Sequence, residues 1–260
     1  MFGKPKSSIP GDWDFYSLLV DDEPASIFVN LAERQVAPDQ VYGHMGYLRI
    51  RMRSPRDDGL SSQEEFETLA ALEDDVVPFV EAKGRARFVG RNTSGGHRDF
   101  YFYTRSPKAF DKAIEKRMQR HAAYSFESST REDQAWNTYL NFLLPSPRDF
   151  QRIMNRRVRD SLEQHGDLLG VAREIDHLVY FPTNQAAESF AELVRNEGFI
   201  VREIRKLDDP NGDAHSVDFY RSDSPNSMDE VVFSVLTWCE PLSGHYDGWG
   251  CGVVTENSQT

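Results

Sequence analysis

The sequence predicts an α+β protein of two domains, and three observations support this class. Residues 175–250 alternate strand-like and helix-like patterns in the order βαββαβ. This is the ferredoxin-like arrangement, a four-stranded antiparallel sheet with two helices on one face. A proline-rich break precedes it at residues 144–147. Part of this pattern recurs upstream of the break, as two strands joined by a glycine turn and followed by a capped helix. This predicts a related α+β antiparallel sandwich.

The domain boundary is predicted at Leu144-Pro145-Ser146-Pro147. Proline disfavours helix at the residue before it, and serine followed by proline is a typical helix start. We therefore expect domains over residues 1–147 and 148–260. The helix that starts here should end near Gly166 and is either the lead-in helix of the second domain or a strut between the domains. Its apolar residues lie at helical spacing: Phe150, Ile153, Met154 and Val158.

Each element of the C-terminal domain has its own local signal. Thr183 and Ser224-Pro225 are predicted helix caps, and Asp209–Asp213 contains the Asn-Gly pair of a tight turn. The predicted strands are Ile175–Phe181, Phe199–Leu207, Ser216–Tyr220 and a short last strand after Asp247–Gly250. The inner faces of the two helices are predicted to carry Ala187, Phe190, Ala191 and Val194, and Met228, Val231, Val232, Val235 and Cys239.

The N-terminal domain is predicted to hold six strands, two helices and a glycine turn. A long helix should carry Phe66, Leu69, Leu72 and Val76 on one face until Pro78 bends or ends it. The strands are predicted near residues 13–19, 25–31, 48–52, 86–91, 98–104 and 123–127. An Asp-Phe-Tyr triplet precedes a Ser-Pro helix start in both halves of the chain. This indicates either an internal duplication or two instances of a common hairpin-plus-helix motif.

Composition excludes several classes of protein. The chain has 260 residues and a net charge of −12, and its mean hydropathy is −0.60. The sequence has no apolar run of the ~20 residues that span a bilayer and no secretory signal, so we expect a cytoplasmic protein with no membrane partner. Two cysteines, Cys239 and Cys251, are too few for a disulfide scaffold. Residues 175–260 hold 15 acidic and 5 basic residues, which suits a basic partner.

Motifs of catalysis, cofactor binding and metal binding are not found. The sequence lacks a nucleophile elbow, a phosphate-binding lysine loop and a zinc-protease helix, and its seven histidines have no ligand spacing. We therefore expect no cofactor, no metal and no enzymatic activity. A less favoured alternative is an enzyme whose active site lies in a cleft between the domains and uses His97, His121 or Asp99.

Arginines alternate with apolar residues along two predicted strands of the N-terminal domain. Because side chains on a strand alternate between faces, these arginines should share one face if the strands share a sheet. This face is either ordinary solvated surface or an anion-binding surface for RNA or for the acidic second domain. The residues concerned are Arg49, Arg51, Arg53, Arg85, Arg87 and Arg91.

The C-terminal sequence resembles the regulator of ribonuclease activity B family over about residues 150–257. The resemblance is carried by Asp176–Pro182, the helix with Ala186–Ala191, Glu197-Gly198-Phe199 and, most distinctively, Tyr246–Gly250. The N-terminal part, about residues 10–147, resembles the DUF695 domain of unknown function often found beside it. Its matching stretches are Trp13–Tyr16, Phe88–Arg91, Asp99–Tyr103 and Trp136–Pro145.

The family resemblance implies a non-enzymatic protein that binds ribonuclease E and restrains RNA decay. For its contact surface we expect the acidic hairpin tip of Asp208, Asp209 and Asp213. The terminal motif adds Tyr246, Asp247 and Trp249 as candidate contacts. The Trp249 ring is more often core than contact at such a position, since aromatic side chains usually bury their area.

Overall fold

The computed structural model describes residues 11–20, 22–207 and 215–256. The chain divides into two compact units, Met1–Ser146 and Pro147–Thr260. Each unit contains one antiparallel sheet, of six and four strands respectively. The predicted α+β class is therefore confirmed.

The second unit has the predicted ferredoxin-like topology. Its strand order is β10-β7-β9-β8, and every neighbouring pair is antiparallel. Alternate residues of β7, among them Ile175, Val179 and Phe181, are fully buried and belong to one apolar core with residues of α4 and α5. The elements are α3 (Pro147–Gln164), β7 (Arg173–Phe181), α4 (Asn184–Asn196), β8 (Ile200–Lys206), β9 (His215–Asp223), α5 (Met228–Cys239) and β10 (His245–Gly250).

Local chemistry explains the main element boundaries of the second unit. The Thr183 hydroxyl accepts a hydrogen bond from the Ala186 N–H at 3.2 Å and caps α4, as predicted. The last strand was expected to follow Asp247–Gly250, but β10 contains these residues. A bulge between Tyr246 and Gly248 gives β10 one extra residue opposite β7, so strand pairing continues through the glycine-rich motif.

The first unit places two helices against a six-stranded sheet of order β1-β2-β4-β5-β3-β6. Residues Leu48, Ile50, Phe100 and Phe102 pack against the helices in one core cluster. The elements are β1 (Trp13–Val20), β2 (Glu23–Asn30), β3 (His44–Arg51), α1 (Gln63–Gly84), β4 (Ala86–Ser94), β5 (His97–Thr104), α2 (Pro107–Met118) and β6 (Phe126–Glu132). Helix α1 continues through Pro78, and its Phe66 is 48% exposed rather than inward.

The two units repeat one topology. In the first, β3-α1-β4-β5-α2-β6 forms a βαββαβ unit whose sheet order, β6-β3-β5-β4, corresponds strand for strand to β10-β7-β9-β8 in the second. The hairpin of β1 and β2 is an addition at the β4 edge. The shared Asp-Phe-Tyr triplets fall on equivalent strands, β5 and β9. This repeat is what the duplication hypothesis predicts.

The units differ in what covers the sheet face opposite the helices. In the first unit, the Trp136 ring stacks on Tyr103 with ring centres 3.9 Å apart, and Tyr139 and Leu143 are fully buried. The Tyr139 hydroxyl also donates to the Asn30 carbonyl at 2.7 Å. The segment after β6 therefore closes much of this face. In the second unit, the equivalent face carries exposed charged side chains.

Candidate functional site

The exposed face of the second sheet is acidic. Glu174 and Asp176 on β7 and Asp218 on β9 project from the side opposite the helices, with 52%, 48% and 44% of their side chains exposed. Together with Arg202 on β8, these residues form what we call the acidic sheet face. The strand alternation that buries Ile175, Val217 and Phe219 turns these carboxylates outward.

Arg202 lies at the centre of the acidic sheet face. Its guanidinium forms ion pairs with Glu174 and Asp176 and lies 3.7 Å from the Asp218 carboxylate. It also stacks over the Tyr220 ring, 4.2 Å from the ring centre. Three carboxylates around one guanidinium leave an excess of negative charge, so the face can accept further cationic groups.

The sequence did not lead us to predict the acidic sheet face, although a signal for it was present. Acidic residues alternate with core residues in β7, and Asp218 lies between two core residues in β9. The count of acidic residues indicated that the C-terminal domain is acidic, but not which of its faces carries the charge. Pairing of β7, β9 and β8 gathers the charges, and that pairing is tertiary information.

The predicted acidic hairpin lies outside the described residues. Asp208, Asp209 and Asp213 fall between β8 and β9, in residues 208–214. Their role in partner contact therefore stays a prediction.

The terminal motif supplies core residues rather than three surface contacts. Tyr246 and Trp249 are only 7% and 8% exposed, whereas Asp247 is exposed. The bulge in β10 turns both aromatic rings toward the core. The prediction that these rings form partner surface is therefore wrong, and the core interpretation of Trp249 holds.

Each buried ring of this motif has a polar partner. The Tyr246 hydroxyl lies 2.9 Å from His177 Nδ1, and Trp249 Nε1 donates to Asn155 Oδ1 at 3.0 Å. His177 stacks on Phe219 and is 2% exposed. Its burial, aided by the charge of Arg221, lowers its pKa to about 4, so the imidazole is neutral at pH 7.

The six arginines predicted to share a face of the first sheet do not all share it. A bulge between Phe88 and Gly90 shifts the register of β4, so Arg91 lies opposite Phe100 on the helix side. Arg87 precedes the bulge and faces the other side. Arg53 follows the end of β3, and Arg85 is the left-handed cap of α1. The shared-face prediction is therefore wrong for Arg53, Arg85 and Arg91, whereas Arg49, Arg51 and Arg87 do lie on the face away from the helices.

Three of these arginines are already neutralised by carboxylates. Arg49 makes a two-bond pair with Asp99 at 2.7 and 2.8 Å. Arg87 pairs with Glu33 and Asp39 at 2.9 and 3.1 Å, and Arg91 pairs with Glu73 on α1. These ion pairs leave little uncompensated positive charge on the three arginines. Arg51 and Arg53 border a cavity at the end of β3.

The residues suggested for an enzyme site are not brought together. His97 and Asp99 face the side of the sheet away from the helices, opposite Arg51 and Arg49. His121 instead bonds to Asp75 of α1, at 2.8 Å from Nε2 to Oδ2. Within the described ranges, no group of three or more His, Cys, Asp or Glu side chains is placed to hold a metal ion. None of the helices in the described part is long and apolar enough to cross a bilayer.

Family models match both units. The model described as a family of unknown function, DUF695, matches residues 11–144. The model described as regulator of ribonuclease activity B matches residues 152–251. No protein with a curated description matches the chain.

Two solved structures show only a weak likeness. One is a crystal structure of an unknown protein from Galdieria sulphuraria, with 13% identity, a TM-score of 0.22, and coverage of 79% of this chain and 96% of that one. The other is a putative glycine cleavage system transcriptional repressor, with 8% identity, a TM-score of 0.25, and coverage of 82% and 98%. At these TM-scores neither bears on function.

Proposed function

We propose that this chain, which belongs to the DUF695 family through residues 11–144 and matches the regulator of ribonuclease activity B family over residues 152–251, regulates RNA decay by protein contact. The partner proposed is ribonuclease E, restrained by binding rather than by chemistry. The protein would act in the cytoplasm as a non-catalytic regulator.

The acidic sheet face is the observation that carries this proposal. Its three carboxylates are about half exposed and are gathered on one side of a sheet whose other side is filled by helices. Apolar surface lies beside the charge, because Ile200 on the edge strand β8 is 54% exposed. A face of this kind suits a basic segment that also carries apolar side chains.

The expected occupant is an arginine-rich segment of the ribonuclease. Guanidinium groups pair with carboxylates through two hydrogen bonds, and Arg202 already shows this face accepting one guanidinium. Charge complementarity accelerates encounter and selects the partner, so binding should weaken as salt rises. The hairpin aspartates Asp208, Asp209 and Asp213 are proposed to extend the same contact.

The proposal is tested by fluorescence anisotropy with labelled fragments of ribonuclease E and the full chain. We expect salt-dependent binding that weakens at least tenfold in the double variant Glu174→Gln, Asp176→Asn. Asp208→Lys with Asp209→Lys tests the hairpin separately. The matched control is Glu188→Gln with Glu192→Gln, which removes the same charge from exposed positions on α4.

The outcomes separate the partner from the surface. Absence of binding by the wild type at low salt would show that ribonuclease E is not the partner. Equal binding by the sheet-face variant and the α4 control would support the partner but show that the acidic sheet face is not the contact surface.

A further inference from the structure

A cationic cavity lies at the end of the first sheet where β3 stops and β5 begins. Its volume is about 660 Å³, and Arg51, Arg53 and His97 line it. This volume lies within the range of small-molecule sites in proteins. Among the described residues that line the cavity none is acidic.

Strand register and the adjoining turn bring these side chains together. Arg51 pairs with His97 across the β3–β5 ladder, so both side chains lie on the same face of the sheet. Arg53 follows two residues after Arg51. A helix and a strand lie between Arg51 and His97 along the chain. Their pairing is therefore a property of the fold that local sequence patterns do not predict.

The wall of the cavity is a fixed two-glycine turn. Gly95 and Gly96 have φ values of +54° and +76°, as in the tight turns that need residues free of a side chain. The Gly96 carbonyl accepts from the Met52 N–H at 2.9 Å, and the Gly96 N–H donates to the Gly59 carbonyl at 2.9 Å. The His97 Nδ1 lies 2.9 Å from the Gly95 carbonyl, which holds the ring against the same turn.

Arg51 and Arg53 differ in their pairing from Arg49, Arg87 and Arg91, three other arginines of this unit. Arg49, Arg87 and Arg91 each have a carboxylate partner. In the part of the chain that the structure describes, neither Arg51 nor Arg53 forms an ion pair. The carboxylate of Glu65, near Arg53, is bound to the backbone N–H groups of Arg53 and Ser54 at 2.9 and 2.7 Å.

We propose that this cavity binds a phosphate group. Two guanidinium groups without an ion pair suit a phosphate, because each can give parallel hydrogen bonds to its oxygens. Ser125, a neutral residue with a hydrogen-bonding side chain, also lines the cavity. The phosphate can belong to a free nucleotide or to the backbone of single-stranded RNA, and both carry the same chemistry. The site is independent of the ribonuclease contact proposed for the second unit.

The test measures binding of four probes to the full chain by titration calorimetry: inorganic phosphate, AMP, adenosine and a labelled ten-nucleotide single-stranded RNA. The cavity variant is Arg51→Gln with Arg53→Gln. The matched control is Arg85→Gln with Arg105→Gln, which removes two exposed arginines at the opposite end of β4 and β5. Thermal melting of both variants checks that they fold.

We expect binding of a phosphate-bearing probe that weakens at least tenfold in the cavity variant and is unchanged in the control. AMP or inorganic phosphate binding without RNA binding identifies a free ligand, whereas RNA binding alone identifies the backbone. The proposal is overturned if no phosphate-bearing probe binds in low salt, if adenosine binds as well as AMP, or if both variants lose binding equally.

Discussion

Trp249 donates its indole N–H to Oδ1 of Asn155, at 3.0 Å, and Asn155 is completely buried. The same amide donates to Asp229 Oδ1 on α5 at 2.8 Å. One side chain on α3 therefore connects the last strand with a core helix. This explains why the lead-in helix belongs to the second unit and why the tryptophan of the terminal motif points inward.

Replacing Asn155 should destabilise the second unit. Asn155→Leu keeps the side-chain volume but leaves the Trp249 N–H buried without an acceptor, at an expected cost of about 2 kcal/mol in the free energy of unfolding. Hydrogen exchange at backbone amides of β7 and β9 in the full chain measures this cost. Asn196→Leu, at the exposed end of α4, is the control and should cost no more than about 0.5 kcal/mol. Equal exchange in both variants would show that the bond contributes nothing.

The second unit should lose stability in mild acid because of His177. Its pKa is about 4 in the folded protein, against an ordinary value of 6.5. Below pH 6.5 the His177 imidazole is protonated in the unfolded chain but stays neutral in the folded chain. The free energy of unfolding is therefore highest above pH 6.5 and decreases as pH falls toward 4. Between pH 7.5 and 5 the loss should be about 2 kcal/mol.

His177→Phe removes this titration while keeping a ring against Phe219. The stability of β7 amides, followed by hydrogen exchange, should then be nearly flat from pH 7.5 to 5. The exposed His245, changed to Gln, should leave the wild-type pH dependence intact. An unchanged slope in His177→Phe would assign the acid sensitivity to other groups.

The two cysteines should differ in reactivity. Cys239 is fully buried, and burial raises its pKa to about 11, so little thiolate forms at pH 8. Cys251 is partly exposed, with its Sγ 3.3 Å from Arg173 Nε. Alkylation of the native chain at pH 8, followed by peptide mass spectrometry, should label Cys251 and spare Cys239 until denaturant is added. Equal labelling of both in native buffer would contradict the burial of Cys239.

Much of the fold follows from local sequence signals. Thr183 caps its helix as predicted, and the apolar spacing in α2 and α4 places Phe110 and Phe190 in the cores. Such features depend on hydrogen bonds and periodicity within a few residues. The wrong placement of β10 has a different origin, because a strand that includes two glycines is stabilised by its pairing with β7.

The candidate sites depended more on tertiary structure. The alternation of Arg49 with Leu48 and Ile50 predicted its face correctly, but one extra residue at Val89 moved Arg91 to the other face. A bulge has no strong sequence signature, since it depends on the partner strand. Neutralisation of Arg87 by Glu33, 54 positions away, is likewise invisible in a local pattern.

The bulge in β4 places Arg91 beside Glu73, and this pairing can be tested. Their side chains are 21% and 14% exposed and form an ion pair on the helix side of the first sheet. A double-mutant cycle with Arg91→Met and Glu73→Gln should give a coupling of about 1 kcal/mol in unfolding free energy, because both groups are partly shielded from water. The control cycle combines Arg49→Met with Glu73→Gln. Arg49 lies on the opposite face of the sheet, so these effects should add within about 0.5 kcal/mol. Absence of coupling between Arg91 and Glu73 would mean that the two side chains do not meet and that Arg91 faces the side first predicted.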